Sequence, residues 1–135
     1  MTSIFLTNAA FGPLTARFLR VPHFIPAFAV ELTDAGGSRF TFGADCRYSE
    51  ELVEFARDTD LLMLEATAGE RQPSPGGGHM SAREAGELAR RAAALKLVLT
   101  HFSDELDPAR IHAEGRAGFG SGAVELAAEG ARFTL

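Results

Sequence analysis

The chain has 135 residues, 46% of them hydrophobic and 23% charged, which is the make-up of one globular domain spanning 1–135 around one core. A formal net charge of −5, with Arg and Lys scattered, excludes the concentrated positive surface that phosphate-backbone binding needs, so nucleic acid is not the expected partner. No apolar run is long enough to span a bilayer, the first residues lack the positive region of a secretory signal, and a lone cysteine, Cys46, excludes an intrachain disulfide; the expected location is the cytoplasm, without membrane contact.

The first forty-odd residues read as β structure. Residues 4–7 form a short strand, 8–13 a turn rich in small residues, and 15–21 a second strand. Pro22 and Pro26 bracket His23-Phe24-Ile25, and proline confines such a piece to an edge or a bend. Residues 27–33 alternate, with Phe28, Val30 and Leu32 on one face; Asp34-Ala35-Gly36-Gly37 is turn chemistry, and 39–43 is the returning strand, ending on Ala44-Asp45-Cys46. Five of the eleven Phe residues lie in the first 28 positions, so this end has much apolar surface to bury.

The pattern then changes to α/β. Ser49 suits an N-cap, Glu50 and Glu51 suit the positive end of a helix, and Leu52, Val53, Phe55 and Ala56 supply its apolar stripe. Leu61-Leu62-Met63-Leu64 is a buried strand running to Glu65, followed by a loop over 67–79 that contains Pro73, Pro75 and three glycines. Ser81 and Glu84 have capping-box spacing at the start of a helix with Ala85, Leu88, Ala89 and Ala92 on one face. Leu97-Val98-Leu99-Thr100 suits a strand buried on both faces and stops at His101. Asp107-Pro108 opens a helix running to about Gly115, and 124–127 with 132–135 form a closing hairpin around Glu129-Gly130.

Four segments carry the functional reading: F-G-A-D-C at 42–46, L-L-M-L-E-A-T at 61–67, H-M-S-A-R-E-A at 79–85 and L-V-L-T-H-F at 97–102. In order and spacing they resemble the C-terminal half of the metallo-β-lactamase fold, in its ribonuclease Z-like hydrolase branch. The match runs from about Arg20 to the C-terminus, and departs from the family in having Ala44 for Gly, Cys46 for Thr and Leu64 for a His. The resemblance implies an α/β (α+β) architecture: half of an αββα sandwich, one mixed sheet with helices on one face. It further implies that Asp45 bridges two divalent metal ions, zinc by preference, that His101 is a ligand of one of them, that His79 donates a proton to the leaving group, and that Glu65 orients a neighbour from behind.

The family's His-x-His-x-Asp-His signature is absent; the only histidines are His23, His79, His101 and His112. A catalytic zinc usually takes three protein ligands and a water, so Asp45 and His101 alone do not make a dinuclear centre. One sheet with its helices also leaves an apolar face bare, the mark of an interface. The expected partner is a second copy of the chain, closing a sandwich as a homodimer, or another chain supplying the N-terminal half. The expected activity of the completed site is hydrolysis of a small phosphodiester. The alternative is a non-catalytic binding or assembly module that keeps the half-fold without the metal.

Taken singly, each residue has a plainer reading. His101 reads as a hydrogen-bonded turn histidine, Asp45 as a loop Asp before a helix and His79 as a loop residue. Cys46 is a soft metal ligand or a small buried residue, His112 lies on a helix surface, and His23 has no assigned role. Gly76-Gly77-Gly78 is not a phosphate loop, because no Lys-Ser/Thr follows in register.

Overall fold

The computed structural model describes residues 5–68, 77–120 and 122–135, with the side chains of 5–8 left aside. Ile4 and the stretch of the predicted loop from Pro73 to Gly76 lie outside the described residues. The elements are β1 (Phe5–Phe11), β2 (Leu14–Val21), β3 (Ala27–Thr33), β4 (Arg39–Phe42), α1 (Glu50–Phe55), β5 (Leu61–Glu65), α2 (Ala82–Arg91), β6 (Lys96–Thr100), α3 (Pro108–Phe119) and β7 (Ala123–Leu126). The strands form one mixed sheet in the order β1-β2-β3-β4-β5-β6-β7. Pairs from β1 to β4 are antiparallel, joined by turns and, between β2 and β3, by residues 22–26; pairs from β4 to β7 are parallel, joined by helices.

In the parallel half each crossover advances one strand in the same direction. Crossovers of constant hand then put every helix on the same side of the sheet. Directly paired residues share a face, so register assigns the two sides. The row Leu19–Ala29 in β2–β3 and the rows Leu62–Leu97–Val124 and Leu64–Leu99–Leu126 in β5–β7 face the helices and join one core with Leu52, Val53, Phe55, Leu88, Ala89, Ile111 and Phe119. On the opposite side the row Phe18–Val30–Phe42–Met63–Val98 runs across five strands. Among the described residues no helix covers that side. Val98 is buried within it, but Phe28 keeps 37% and Phe11 57% of its surface exposed. The predicted bare face is thus present, and Phe28, Val30 and Leu32 lie on it.

One buried charged group on the helix side needed partners. Glu31, 3% exposed, accepts from Arg17 at 2.9 Å and from Arg39 at 2.7 Å, and the Arg17 guanidinium lies 5.0 Å from the centre of the Phe55 ring. A buried carboxylate held by two guanidiniums fixes where α1 meets the antiparallel strands.

Three boundaries differ from the sequence expectation. The first strand continues to Phe11, because Ala9 and Ala10 pair with Ala16 and Thr15; ladder bonds override the turn preference of small residues, and only Gly12, at φ 59°, and Pro13 make the turn. α3 runs through Gly115 to Phe119. Its glycines are contact points: a Cβ on Gly118 would lie 2.2 Å from the Arg83 carbonyl oxygen and one on Gly86 2.3 Å from that of Gly115, so α2 and α3 meet backbone to backbone. The closing hairpin is also absent: β7 is parallel to β6, residues 132–135 are not a strand, and the Ala127 N–H bonds to the Leu99 carbonyl of β6.

Local signals are otherwise satisfied. Ser49 Oγ accepts from the Leu52 N–H at 3.2 Å, and Ser81 and Glu84 form a reciprocal capping box. α2 ends in a Schellman turn, with Ala94 N–H on Ala89 O at 3.0 Å and Ala93 N–H on Arg90 O at 3.1 Å. Its left-handed residue is Ala93 at φ 55°, where glycine is usual. Ala93 is exposed, so Ala93→Gly relieves strain without losing packing and raises unfolding stability by about 1 kcal/mol. Gly118→Ala forces the two helices apart and costs about 2–3 kcal/mol. Urea denaturation of both variants checks this pair of opposite signs.

Candidate functional site

Strands β4, β5 and β6 are parallel, so their C-terminal ends share one rim of the sheet. The chain leaves two of these strands through non-glycine residues with left-handed backbone, Ala44 at φ 58° and His101 at φ 52°. Each such residue costs on the order of 1–2 kcal/mol, and strain of this kind concentrates at functional sites. The Ala44 turn delivers Asp45 and the His101 turn delivers its own imidazole to the same place. Asp45 Oδ1 lies 3.1 Å from His101 Nδ1, with both side chains about half exposed.

Thr67, past the end of β5, completes this contact. Its hydroxyl donates to the His101 carbonyl, and its Oγ1 lies 2.8 Å from His101 Nδ1. Both neighbours of Nδ1 are then acceptors, which assigns the proton to Nδ1 and leaves Nε2 as the lone-pair nitrogen.

Behind this pair sits Glu65, 1% exposed. Its carboxylate accepts from the Cys46 N–H at 2.6 Å and from the Thr67 N–H at 3.4 Å, and both oxygens lie 2.8–2.9 Å from His79 Nδ1. His79 therefore carries its proton on Nδ1, and its ring centre is 5.8 Å from that of His101. The structure thus brings together all four sequence-derived candidates, Asp45, Glu65, His79 and His101. Donor atoms of Glu65, His79 and His101 all lie within 4.8 Å of one another. Glu65 is already engaged with two backbone N–H groups and His79, so the donors left to an ion are Asp45 and the Nε2 atoms of the two histidines. Carboxylate oxygen and imidazole nitrogen suit first-row divalent ions. The chemistry fits such a group, and the number of donors is that of part of a two-metal centre.

Other candidates are resolved by their surroundings. Cys46 is fully buried, and burial followed by the nearby Glu65 and Asp45 charges pushes its thiol up to about 12. Its Sγ donates to the Gly43 carbonyl at 3.4 Å in a fully buried position, so the small-buried reading of Cys46 stands. His112 is half-buried rather than on the surface, with Nε2 donating to the Val124 carbonyl at 2.9 Å. His23, which had no assigned role, donates from Nδ1 to the Gly78 carbonyl at 2.8 Å, and its ring centre is 5.1 Å from that of His79. Gly78 is required there: a Cβ would lie 2.6 Å from the Phe24 ring. Thr67 was visible only as the end of Glu-Ala-Thr; nothing in sequence spacing pointed to His23 as a neighbour of His79.

A family model described as a beta-lactamase superfamily domain matches residues 6–102. The chain belongs to this superfamily. It is 36% identical over 91 residues to the probable metallo-hydrolase YhfI of Bacillus subtilis, a match covering 67% of this chain and 37% of that protein. It is 38% identical over 94 residues to ribonuclease Z of Streptomyces avermitilis, covering 67% and 31% respectively. The crystal structure of YhfI, a metallo-β-lactamase fold protein, superposes with a TM-score of 0.83 at 30% identity, over 90% of this chain and 49% of that one. Human tRNase Z, short form, superposes at 0.65 and 25% identity, over 88% and 42%. The chain's matched region thus spans about a third of the curated relatives' length, and half or less of the solved ones. The half-sandwich and the metal-hydrolase family are those expected from the four segments.

The Cys46 thiol gives a pH test of this packing. A group whose folded value is raised contributes stability below its unfolded value, here 9.0, and loses it as pH climbs toward about 12. In metal-free protein, raising pH from 8 to 10 lowers unfolding stability by about 1 kcal/mol through this group. Cys46→Ala lacks that component, and urea midpoints of both proteins at the two pH values measure the difference.

Proposed function

We propose that this chain is the C-terminal half of a cytoplasmic metal-dependent hydrolase acting on a small phosphodiester. The observation that carries the reading is the Asp45–His101 contact at 3.1 Å between the ends of the two strands that flank β5, with His79 set beside it by a buried carboxylate. Asp45 and His101 would hold divalent ions, zinc by donor type, and such ions supply a Lewis acid and an ionised water near neutral pH. Glu65 engages His79 Nδ1 and so holds the ring in one orientation. That places the transferable proton of His79 on Nε2, from which it passes to the departing oxygen as general acid. The dipole of α2 adds little here, since Ser81 and Glu84 satisfy its first N–H groups and Glu84 brings its own negative charge. The ribonuclease relative supports phosphodiester chemistry, and a net charge of −5 favours a small ester over RNA.

Asp45 and His101 fall short of two coordination spheres, so the remaining ligands come from a partner. The bare sheet face is where it would dock. One source is a polypeptide carrying His-x-His-x-Asp-His. The other is a second copy: with a two-fold axis along the strands, both sets of strand ends meet at one rim and pool their Asp45 and His101.

Elemental analysis with light scattering tests the proposal. Zinc bound near stoichiometrically and lost in His101→Ala supports the hydrolase half, while no metal after incubation with zinc leaves a binding or assembly module. A dimer at micromolar concentration identifies the second copy as partner; a monomer assigns that role to a His-x-His-x-Asp-His half. In the active assembly, His79→Ala lowers kcat about 10²–10⁴-fold, the range for losing a general acid.

A further inference from the structure

Beside His79 the structure holds a second feature that no metal role uses. Residues 22–26 form a strap fixed at both ends of its contact: the Arg47 N–H bonds to the Pro22 carbonyl at 3.1 Å, and His23 Nδ1 bonds to Gly78 O at 2.8 Å. Between strap and turn lies a cleft of about 250 Å³ lined by Arg20, His23, Phe24, Ile25, Arg47 and Gly77, among others. It adjoins the rim directly, since the ring centres of His23 and Phe24 lie 5.1 and 6.2 Å from that of His79.

Charge marks the cleft out. The chain has 18 acidic and 13 basic residues, so carboxylates outnumber the cations they could neutralise. Arg17 and Arg39 are paired with Glu31, Arg57 with Glu54, Arg83 with Glu114, and Arg91 with Glu50. Arg20 and Arg47, both exposed, have no carboxylate partner among the described residues, and they line the same cleft. Two arginines lining one cavity can offer forked donors matched to phosphate oxygens. Phe24 and Ile25, 71% and 68% exposed, form an open wall of this mainly polar cleft. Two prolines and the tight fit over Gly78 hold that wall in place, so it is preorganised.

We propose that the Arg20–Arg47 cleft is an anion subsite that takes a phosphate carried on an aromatic group, with the phosphate on the guanidiniums and the ring against Phe24. The inference rests on the hydrolase reading and narrows it. The substrate carries a second phosphoryl group, distinct from the ester that is cleaved, and the subsite orients it beside His79.

Titration of the full chain in chelator with phenyl phosphate and with inorganic phosphate, followed by amide NMR shifts, tests this without metal or turnover. The expected result is saturable binding with shifts at His23 and Arg47. Arg20→Ala and Arg47→Ala each weaken it about ten- to a hundredfold, as for loss of a charge-assisted contact. His101→Ala leaves it unchanged, and Phe24→Ala weakens phenyl phosphate but not inorganic phosphate. Arg47→Lys, which keeps the charge and the fold, restores part of the affinity. Absence of saturable binding, or binding that survives both arginine-to-alanine variants or is lost in His101→Ala, overturns the proposal. A protein that binds phenyl phosphate here yet takes up no zinc would refute the hydrolase half and leave the subsite standing.

Discussion

A buried carboxylate at the end of a parallel strand holds this structure's working end together. Removing a charge from water is unfavourable unless hydrogen bonds replace the hydration. Glu65 meets that condition by drawing in the Cys46 N–H, the Thr67 N–H and His79 Nδ1. Those three groups belong to the turn after β4, the exit of β5 and the loop before α2. One carboxylate thus ties the segment carrying Asp45, the residue that contacts His101 and the histidine beside it into a single unit. The left-handed backbone at Ala44 and His101 is tolerable because this network over-determines it.

The second constraint is topological. Because strand order never reverses across β4 to β7, the helices have one side of the sheet to occupy, and the three glycines of α2 and α3 let them crowd there. The same rule that builds a dense core on one face strips the other. Phe18, Val30, Phe42 and Met63 stay half-buried on that side. On the proposed reading, an incomplete donor set and an uncovered apolar face are two views of one fact, since a layer covering the sheet would also reach its rim.

Much of this was legible in the residues. Capping signals at Ser49, Ser81 and Asp107 placed the helix starts, and Asp45 and His101 followed from hydrophobic strands ending on polar residues. What escaped was whatever depends on contacts between segments. Gly115 looked like a stop signal and is a packing surface against Leu99, because no local pattern distinguishes a glycine that ends a helix from one that lets a neighbour approach. Ala9 and Ala10 looked like a turn and are strand, because pairing with β2 outweighs weak local preference. His23 lies 55 residues from Gly78, and the bond between them is a product of the fold alone.

The uncovered face also changes what stability means for this chain. Anything that binds the folded form and not the unfolded one adds to its stability in proportion to the logarithm of its concentration. Here the binder would shield a row of aromatic and aliphatic side chains that otherwise meets water. If that binder is the partner proposed above, the abundance of this protein in a cell would follow the partner's supply, with surplus copies the first to be cleared by proteolysis. Stoichiometric balance between two such layers would then be enforced by turnover rather than by expression alone.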